Sequence, residues 1–256
     1  MIRTRTLILR APGTNCDGET EFAFTKAGAE CKLAHVNRLI SREERLADYQ
    51  IFVIPGGFTY GDDIAAGKVL ANELRAKLGE DIIRFIEKGG LILGICNGFQ
   101  MLVKSGILPS PFNGDASHVT LANNDSGKFE CRWVHMKANQ NSACVFTRGM
   151  DRIYLPVAHG EGKVMADEET LPTLNVALVY TDENGNEGAG YPFNPNGSMR
   201  DIAGISDASG RIFGLMPHPE RHILGTHHPR WTRFGARNEG DGFLMFKNAV
   251  EWARGL

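Results

Sequence analysis

The chain has 256 residues, 42% hydrophobic and 23% charged, with a formal net charge of −2. This is the size and balance of an ordinary globular protein with a sizeable core, and nothing in it attracts a polyanion, so neither nucleic acid nor a membrane surface is expected as a partner. No apolar run approaches bilayer length, and Met1-Ile2-Arg3-Thr4-Arg5 leads into a strand pattern rather than a signal peptide, so a cytoplasmic location is expected.

Thr4 to Leu9 reads as a strand, and Asp17 is placed as the N-cap of a helix with Glu19 and Glu21 following and Gly28 ending it. Strand patterns recur at Cys31–Val36 and at the fully apolar Ile51–Ile54. A helical pattern covers Ala65–Glu87, Gly89-Gly90 breaks it, and Leu91–Ile95 reads as a buried central strand. Apolar strands alternating with helices imply a parallel sheet covered on both faces. From His118 to Thr181 polar and apolar residues alternate, as in antiparallel strands added to that core, and Asn184-Gly185 and Asn196-Gly197 are hairpin-type turn signals. Arg211–Met216 is a further strand and Gly242–Arg254 a closing helix, with an irregular stretch at His227–Arg233 between them. No repeat, low-complexity segment or linker divides residues 1–256, so one domain is expected. The N-x-S matches at Asn124 and Asn196 carry no weight.

Five cysteines (Cys16, Cys31, Cys96, Cys131, Cys144) are an odd number without a C-x-x-C pair, which argues against a zinc knuckle or disulfide framework. Four are expected as small buried hydrophobes. Cys96 differs: Gly94-Ile95-Cys96-Asn97-Gly98 has the G-x-C-x-G form of a nucleophile elbow between a strand and a helical run from Phe99 to Lys104. That turn lifts the sulfur above the carboxyl edge of the sheet and sets it at a helix N-terminus, which favours thiolate.

Acyl transfer to a thiol needs a proton acceptor that later serves the leaving amine. His218 follows a core strand in Met216-Pro217-His218-Pro219-Glu220, where two prolines are expected to keep the backbone extended and set Glu220 beside the ring as its orienter. Pro55-Gly56-Gly57-Phe58 follows strand Ile51–Ile54, so Gly56 and Gly57, with the N–H of Asn97, are candidates for an oxyanion hole. A phosphate loop at Gly56-Gly57 is disfavoured, since no Gly-Lys-Ser/Thr follows and Asp62-Asp63 would repel phosphate.

With these pieces in place, the sequence resembles the class I, triad-type glutamine amidotransferases along essentially its whole length. Within that family it is most similar to the glutaminase subunits of phosphoribosylformylglycinamidine (FGAM) synthases. The stretches that carry the resemblance are 12–17, 55–58, 94–100, 127–129 with Cys131, 158–162, 196–198 and 217–221. It implies a flavodoxin-like α/β fold and a catalytic triad of Cys96, His218 and Glu220. It also implies hydrolysis of L-glutamine through a Cys96 thioester, with ammonia passed to a synthetase subunit. That partner, with a small accessory subunit beside it, would bind ATP and Mg; no cofactor or metal is expected in this chain. By position, Gln100 and the backbone around His159, Gly160 and Glu161 would hold the substrate's amino acid end, although His159 equally fits a loop-stabilising role. Asn15 and Asp17 fall on the partner side, although capping alone accounts for Asp17. The segment 226–241 departs from the compact family pattern and is expected to face the partner or cover a sheet edge; adjacent histidines there point apart, which disfavours a metal site. A glutaminase serving another synthase, a stand-alone γ-glutamyl hydrolase and a non-catalytic module on the same fold are the alternatives.

Overall fold

The structure, a computed structural model, describes residues 3–62, 67–112, 118–235 and 237–256. In chain order it contains β1 (Arg5–Arg10), α1 (Asp17–Lys26), β2 (Glu30–His35), α2 (Val36–Ile40), β3 (Ile51–Ile54), α3 (Lys68–Glu87), β4 (Leu91–Ile95) and α4 (Asn97–Lys104). Strands β5 (Val119–Asn123), β6 (Glu130–Ala138), β7 (Arg152–His159), β8 (Glu161–Ala166), β9 (Asn175–Thr181), β10 (Ile202–Ser206) and β11 (Ile212–Leu215) follow, then α5 (Trp231–Phe234) and α6 (Phe243–Ala253).

Among the described residues nine strands form one sheet in the order β2-β1-β3-β4-β11-β10-β9-β6-β7, and β5 pairs with β8 apart from it. The first five run parallel. Their order is the flavodoxin-like one, which reverses between β1 and β3 and opens a crevice at the carboxyl ends of the strands. The next four add antiparallel. Every residue of β3 and β4 is buried. Successive strand side chains point to opposite faces, so both faces are covered, as uninterrupted apolar strands require. On α3, Leu70, Leu74, Leu78, Ile82 and Phe85 recur at helical spacing and are buried, while Glu73–Lys77 and Glu80–Arg84 pair on the exposed side. Phe24 of α1 meets Phe246 of α6 edge-on at 4.9 Å. Helix α4 comes so close to β3 that a β-carbon on Gly98 would fall 1.9 Å from the Ile54 carbonyl oxygen.

Three expectations need correction. Cys16, not Asp17, is the N-cap of α1, and no side chain caps it; Asp17 is the first helical residue and its carboxylate meets Arg10 at 2.7 Å, because β1 ends within reach. The helix expected from Ala65 is described from Lys68; Ala65 lies outside the described residues, as does Asp63. Asn184-Gly185 and Asn196-Gly197 are not two-residue hairpins, because both lie within the long connection 182–201 between the antiparallel partners β9 and β10. Asp182 Oδ1 accepts the N–H groups of Asn184 and Asn186, and Asn196 is turned inward.

The segment after β11 covers the outer edge of β7. His222 Nδ1 bonds the Tyr154 carbonyl at 2.8 Å and Asp241 Oδ2 accepts the Tyr154 N–H at 3.0 Å. The rings of His222 and His228 pack around Trp133 and Tyr154. An open strand edge would present unpaired backbone groups, and these contacts satisfy them.

Phe99 of α4 is fully buried, with its ring pressed on Gly214 of β11. Phe99→Ala should cost about 3–5 kcal/mol in urea denaturation, whereas Phe22→Ala, 47% exposed, should cost under ~0.5 kcal/mol. Equal losses would contradict this packing.

Candidate active site

Cys96 joins β4 to α4 at φ 52° and ψ −107°, a backbone conformation that a residue with a β-carbon rarely adopts. Its N–H bonds the Leu215 carbonyl at 2.8 Å and its carbonyl accepts the Gln100 N–H at 3.1 Å. One peptide group therefore ends the sheet ladder while the next begins the helix. The sulfur is almost wholly buried and lies 3.7 Å from the Ala158 carbonyl oxygen.

The chain leaves β11 at Met216, and the His218 N–H bonds the Pro156 carbonyl at 2.9 Å. The expected extended backbone through Glu220 is not found. Pro219–Arg221 forms a 3-10 turn, which Pro219 suits as its first residue because its φ is preset and it needs no donor. The turn carries the Glu220 carboxylate back to the ring, 2.6 Å from Nδ1, with both side chains buried. An ionised carboxylate only accepts, so Nδ1 carries the proton and Nε2 is left as the basic nitrogen. Nε2 is buried and has no hydrogen-bond partner among the described residues. Burial opposes a charge on this ring, but the negative charges of Glu220 and Cys96 outweigh it and raise its pKa well above the ordinary value.

Cys16 is more than a packing residue. Its sulfur lies 4.0 Å from His218 Nδ1, accepts a bond from Arg221 Nη2 at 3.1 Å and donates to Asn15 Oδ1 at 3.1 Å. Of the other three cysteines expected to be buried, Cys144 is buried, Cys31 half-buried and Cys131 exposed. Cys16, His218 and Glu220 are the one group among the described residues whose donor atoms could share a cation, all within 4.8 Å. A cation there would have to break the His218–Glu220 bond and sit beside Arg221.

Gly56 lies against both reacting groups: a β-carbon on it would stand 2.9 Å from His218 Cε1, 3.2 Å from Cys16 Sγ and 3.5 Å from Cys96 Cβ. Gly57, at φ 155°, packs its α-carbon on residues 13–15, and the Asn15 and Cys16 N–H groups both bond the Gly56 carbonyl. Residues 13–16 thus fix the candidate oxyanion strand. Asn97 Oδ1 accepts from the Thr59 hydroxyl at 2.5 Å, tying the start of α4 to the same loop.

The structure gathers Gln100, His159, Gly160 and Glu161 beside Cys96. Gln100 Nε2 donates to the Glu161 carbonyl at 2.5 Å and its Oε1 accepts from Asn97 Nδ2 at 2.9 Å. Glu161 pairs with Lys104. Asn124, dismissed from the sequence, is buried and gives its amide hydrogens to the carbonyls of His159 (2.7 Å) and Lys128 (2.9 Å). Its Oδ1 must therefore accept, which protonates His159 at Nδ1. The signal was an Asn opening the turn Asn124-Asp125-Ser126-Gly127; the strand pattern alone could not show which loop it serves.

Burial, and then the neighbouring His218, hold the His159 pKa at about 3, against an ordinary 6.5. The ring stays neutral in the fold while the unfolded chain takes a proton near pH 6.5, so the unfolded state binds more protons between those values and stability rises with pH across the window. Relative to His159→Gln, the native chain should lose ~1.4 kcal/mol per pH unit as pH falls from 6 to 4. Parallel stability–pH curves for the two proteins, measured by urea denaturation, would contradict a neutral His159.

Residues 3–253 match the CobB/CobQ-like glutamine amidotransferase domain. The chain is 58% identical over 254 residues, 99% of each chain, to the phosphoribosylformylglycinamidine synthase subunit PurQ of Dehalococcoides mccartyi. It is 43% identical to the PurQ subunit of Methanococcus maripaludis, over 97% of both. It aligns with a chain in the structure of PurLQS from Thermotoga maritima at a TM-score of 0.76 and 31% identity, over 98% of this chain and 99% of that one. No helix among the described residues is long and apolar enough to cross a membrane. With this match along nearly its whole length, the chain belongs to the CobB/CobQ-like glutamine amidotransferases, in the group of PurQ subunits.

Proposed function

We propose that this chain is the glutaminase subunit of FGAM synthase, working in the cytoplasm and delivering ammonia to the synthetase subunit that converts formylglycinamide ribonucleotide to FGAM in purine synthesis. The observation that carries the reading is the buried Cys96–His218–Glu220 arrangement in a chain 58% identical throughout to a PurQ subunit.

The sulfur of Cys96, its proton held by His218 Nε2, attacks the γ-carboxamide carbon of L-glutamine. Negative charge gathers on the amide oxygen, where Gly56, Gly57 and the Asn97 N–H supply backbone donors. His218 returns the proton to the leaving nitrogen, ammonia departs, and a γ-glutamyl thioester remains on Cys96. Water, deprotonated by the same Nε2, attacks the thioester carbonyl and releases glutamate. Glu220 keeps Nδ1 protonated throughout, so the working nitrogen stays Nε2. Gln100, His159, Gly160 and Glu161 hold the substrate's α-amino and carboxylate end. The chain needs no cofactor for these steps; ATP and Mg act on the synthetase subunit, and a small accessory subunit completes the assembly.

Glutamate release from glutamine, measured with and without the synthetase subunit, tests this. The partner should stimulate release. Cys96→Ala should abolish it, by on the order of 10⁴-fold or more, and Glu220→Gln should lower kcat about 10³–10⁴-fold with a smaller change in KM. Release that survives Cys96→Ala removes the nucleophile assignment. A wild type that stays silent with the synthetase subunit present overturns the pathway assignment.

A further inference from the structure

Asn196 is fully buried in the irregular connection between β9 and β10. An amide in that position is costly unless all its polar atoms are bonded. Its Nδ2 donates to the Gly162 carbonyl at 2.9 Å and points at the Tyr180 hydroxyl, 3.4 Å away. Its Oδ1 accepts the Ser198 N–H at 3.1 Å and hydroxyl at 2.7 Å, and its backbone carbonyl accepts the Asp125 N–H at 3.2 Å. Ser198 Oγ in turn accepts the Val164 N–H at 2.9 Å. Asn194 holds the loop in shape, accepting the N–H groups of Gly197 and Ser198 and donating to Ser198 and Asp201.

The consequence appears at the turn between β7 and β8. Four successive carbonyls are held from neighbouring segments: His159 by Asn124 Nδ2, Gly160 by the Asn124 N–H, Glu161 by Gln100 Nε2 and Gly162 by Asn196 Nδ2 at 2.9 Å, with the Ser198 hydroxyl farther off at 3.5 Å. In a trans peptide the C=O of one residue and the N–H of the next point in opposite directions. Fixing the carbonyls of 159–161 therefore fixes the N–H groups of 160–162 toward the other side, and fixing the Gly162 carbonyl anchors the plane through which the turn enters β8. The Tyr180 hydroxyl is buried beside Asn196; burial raises its pKa, and the Asn196 bond opposes that rise.

We infer that Asn196 is a positioning residue for glutamine, fixing the Gly162 carbonyl so that the 159–162 turn presents its backbone groups to the substrate's amino acid end. This rests on the glutaminase reading above. It gives the Asn196-Gly197-Ser198 motif a role in substrate affinity that acts through the Gly162 carbonyl rather than through contact with the substrate.

The test uses the full chain with its synthetase subunit. Asn196→Asp keeps the shape and the acceptor for Ser198 but replaces the donor to Gly162 with a second oxygen; Ser198→Ala, a milder change, removes the support of Asn196 Oδ1 and Val164. Two alkylators of Cys96 are compared: iodoacetamide, too small to need the amino acid pocket, and a diazoketone analogue of glutamine, which needs it. For Asn196→Asp the KM for glutamine should rise on the order of 10-fold, the worth of one such hydrogen bond, with kcat held within about 3-fold. Diazoketone labelling should slow in step while iodoacetamide labelling keeps the wild-type rate, and Ser198→Ala should move the same quantities less. Should Asn196→Asp not fold, Ser198→Ala decides. An unchanged KM, or equal slowing by both alkylators, overturns the positioning role while leaving the glutaminase reading standing. A wild type that neither hydrolyses glutamine nor reacts with the diazoketone overturns both.

Discussion

The hydrogen bond from the Cys96 N–H to the Leu215 carbonyl, 2.8 Å long, ties the strand that delivers the nucleophile to the strand that delivers the base. Cys96 sits in a backbone conformation that costs about 1–3 kcal/mol and persists only where its surroundings over-determine it. Here they do so from three sides: β11 holds its N–H, α4 begins immediately after it, and Gly98 is seated on the Ile54 carbonyl. His218 lies three residues beyond Leu215 in the chain. The constraint that strains the nucleophile therefore also sets the starting point of the base, and the parallel pairing of β4 with β11 converts a sequence separation of more than a hundred residues into neighbouring side chains.

The charges at the site are arranged so that only one histidine carries a proton on demand. His218 is buried, yet Glu220 and Cys96 favour its charged form. His159, equally buried, lacks such partners and faces His218 instead, so burial keeps it neutral. A second positive ring would compete with His218 for the negative charge that develops during acyl transfer. Neutral amides set the geometry around it instead: Asn97, Gln100, Asn124 and Asn196 hold backbone and side-chain groups without adding net charge to the field at the sulfur. Arg221 is the nearby permanent cation and is engaged by the Cys16 sulfur and by Glu19.

Much of this was legible in the residues because local pattern and global fold agree here. Ile51–Ile54 and Leu91–Ile95 are apolar throughout, which only a strand buried on both faces explains, and an elbow with glycines at 94 and 98 has few other uses. The pairing of His218 with Glu220 was also legible, but not its geometry: prolines on both sides suggest an extended backbone, whereas Pro219 opens a turn. What could not be read were partnerships fixed by long-range topology. Cys16 looks like any small apolar residue until the segments that follow β1 and β11 meet at it. Asn124 and Asn196 look like loop residues until the fold sets both on the same β-turn–β unit, 159–162. Sequence patterns report which face a residue takes and seldom report which distant carbonyl it will bond.

The segment after His222 shows how support for the site reaches beyond the residues near the sulfur. Strand β7 supplies the Pro156 carbonyl that holds His218, the Ala158 carbonyl beside Cys96, and His159. It is also the outermost strand of the sheet, paired on one side alone with β6. A strand held on one edge opens more readily than one held on both. His222 and Asp241 grip the N–H and carbonyl of Tyr154 from the other edge, and His228 packs over its ring. The Tyr154 grip is two residues from Pro156 and four from Ala158, so any loosening there would be transmitted along the strand to the base and the nucleophile. The relatives match this chain almost end to end, so 226–241 is not extra length over them; through His228 and Asp241 it covers the strand on which the catalytic geometry rests.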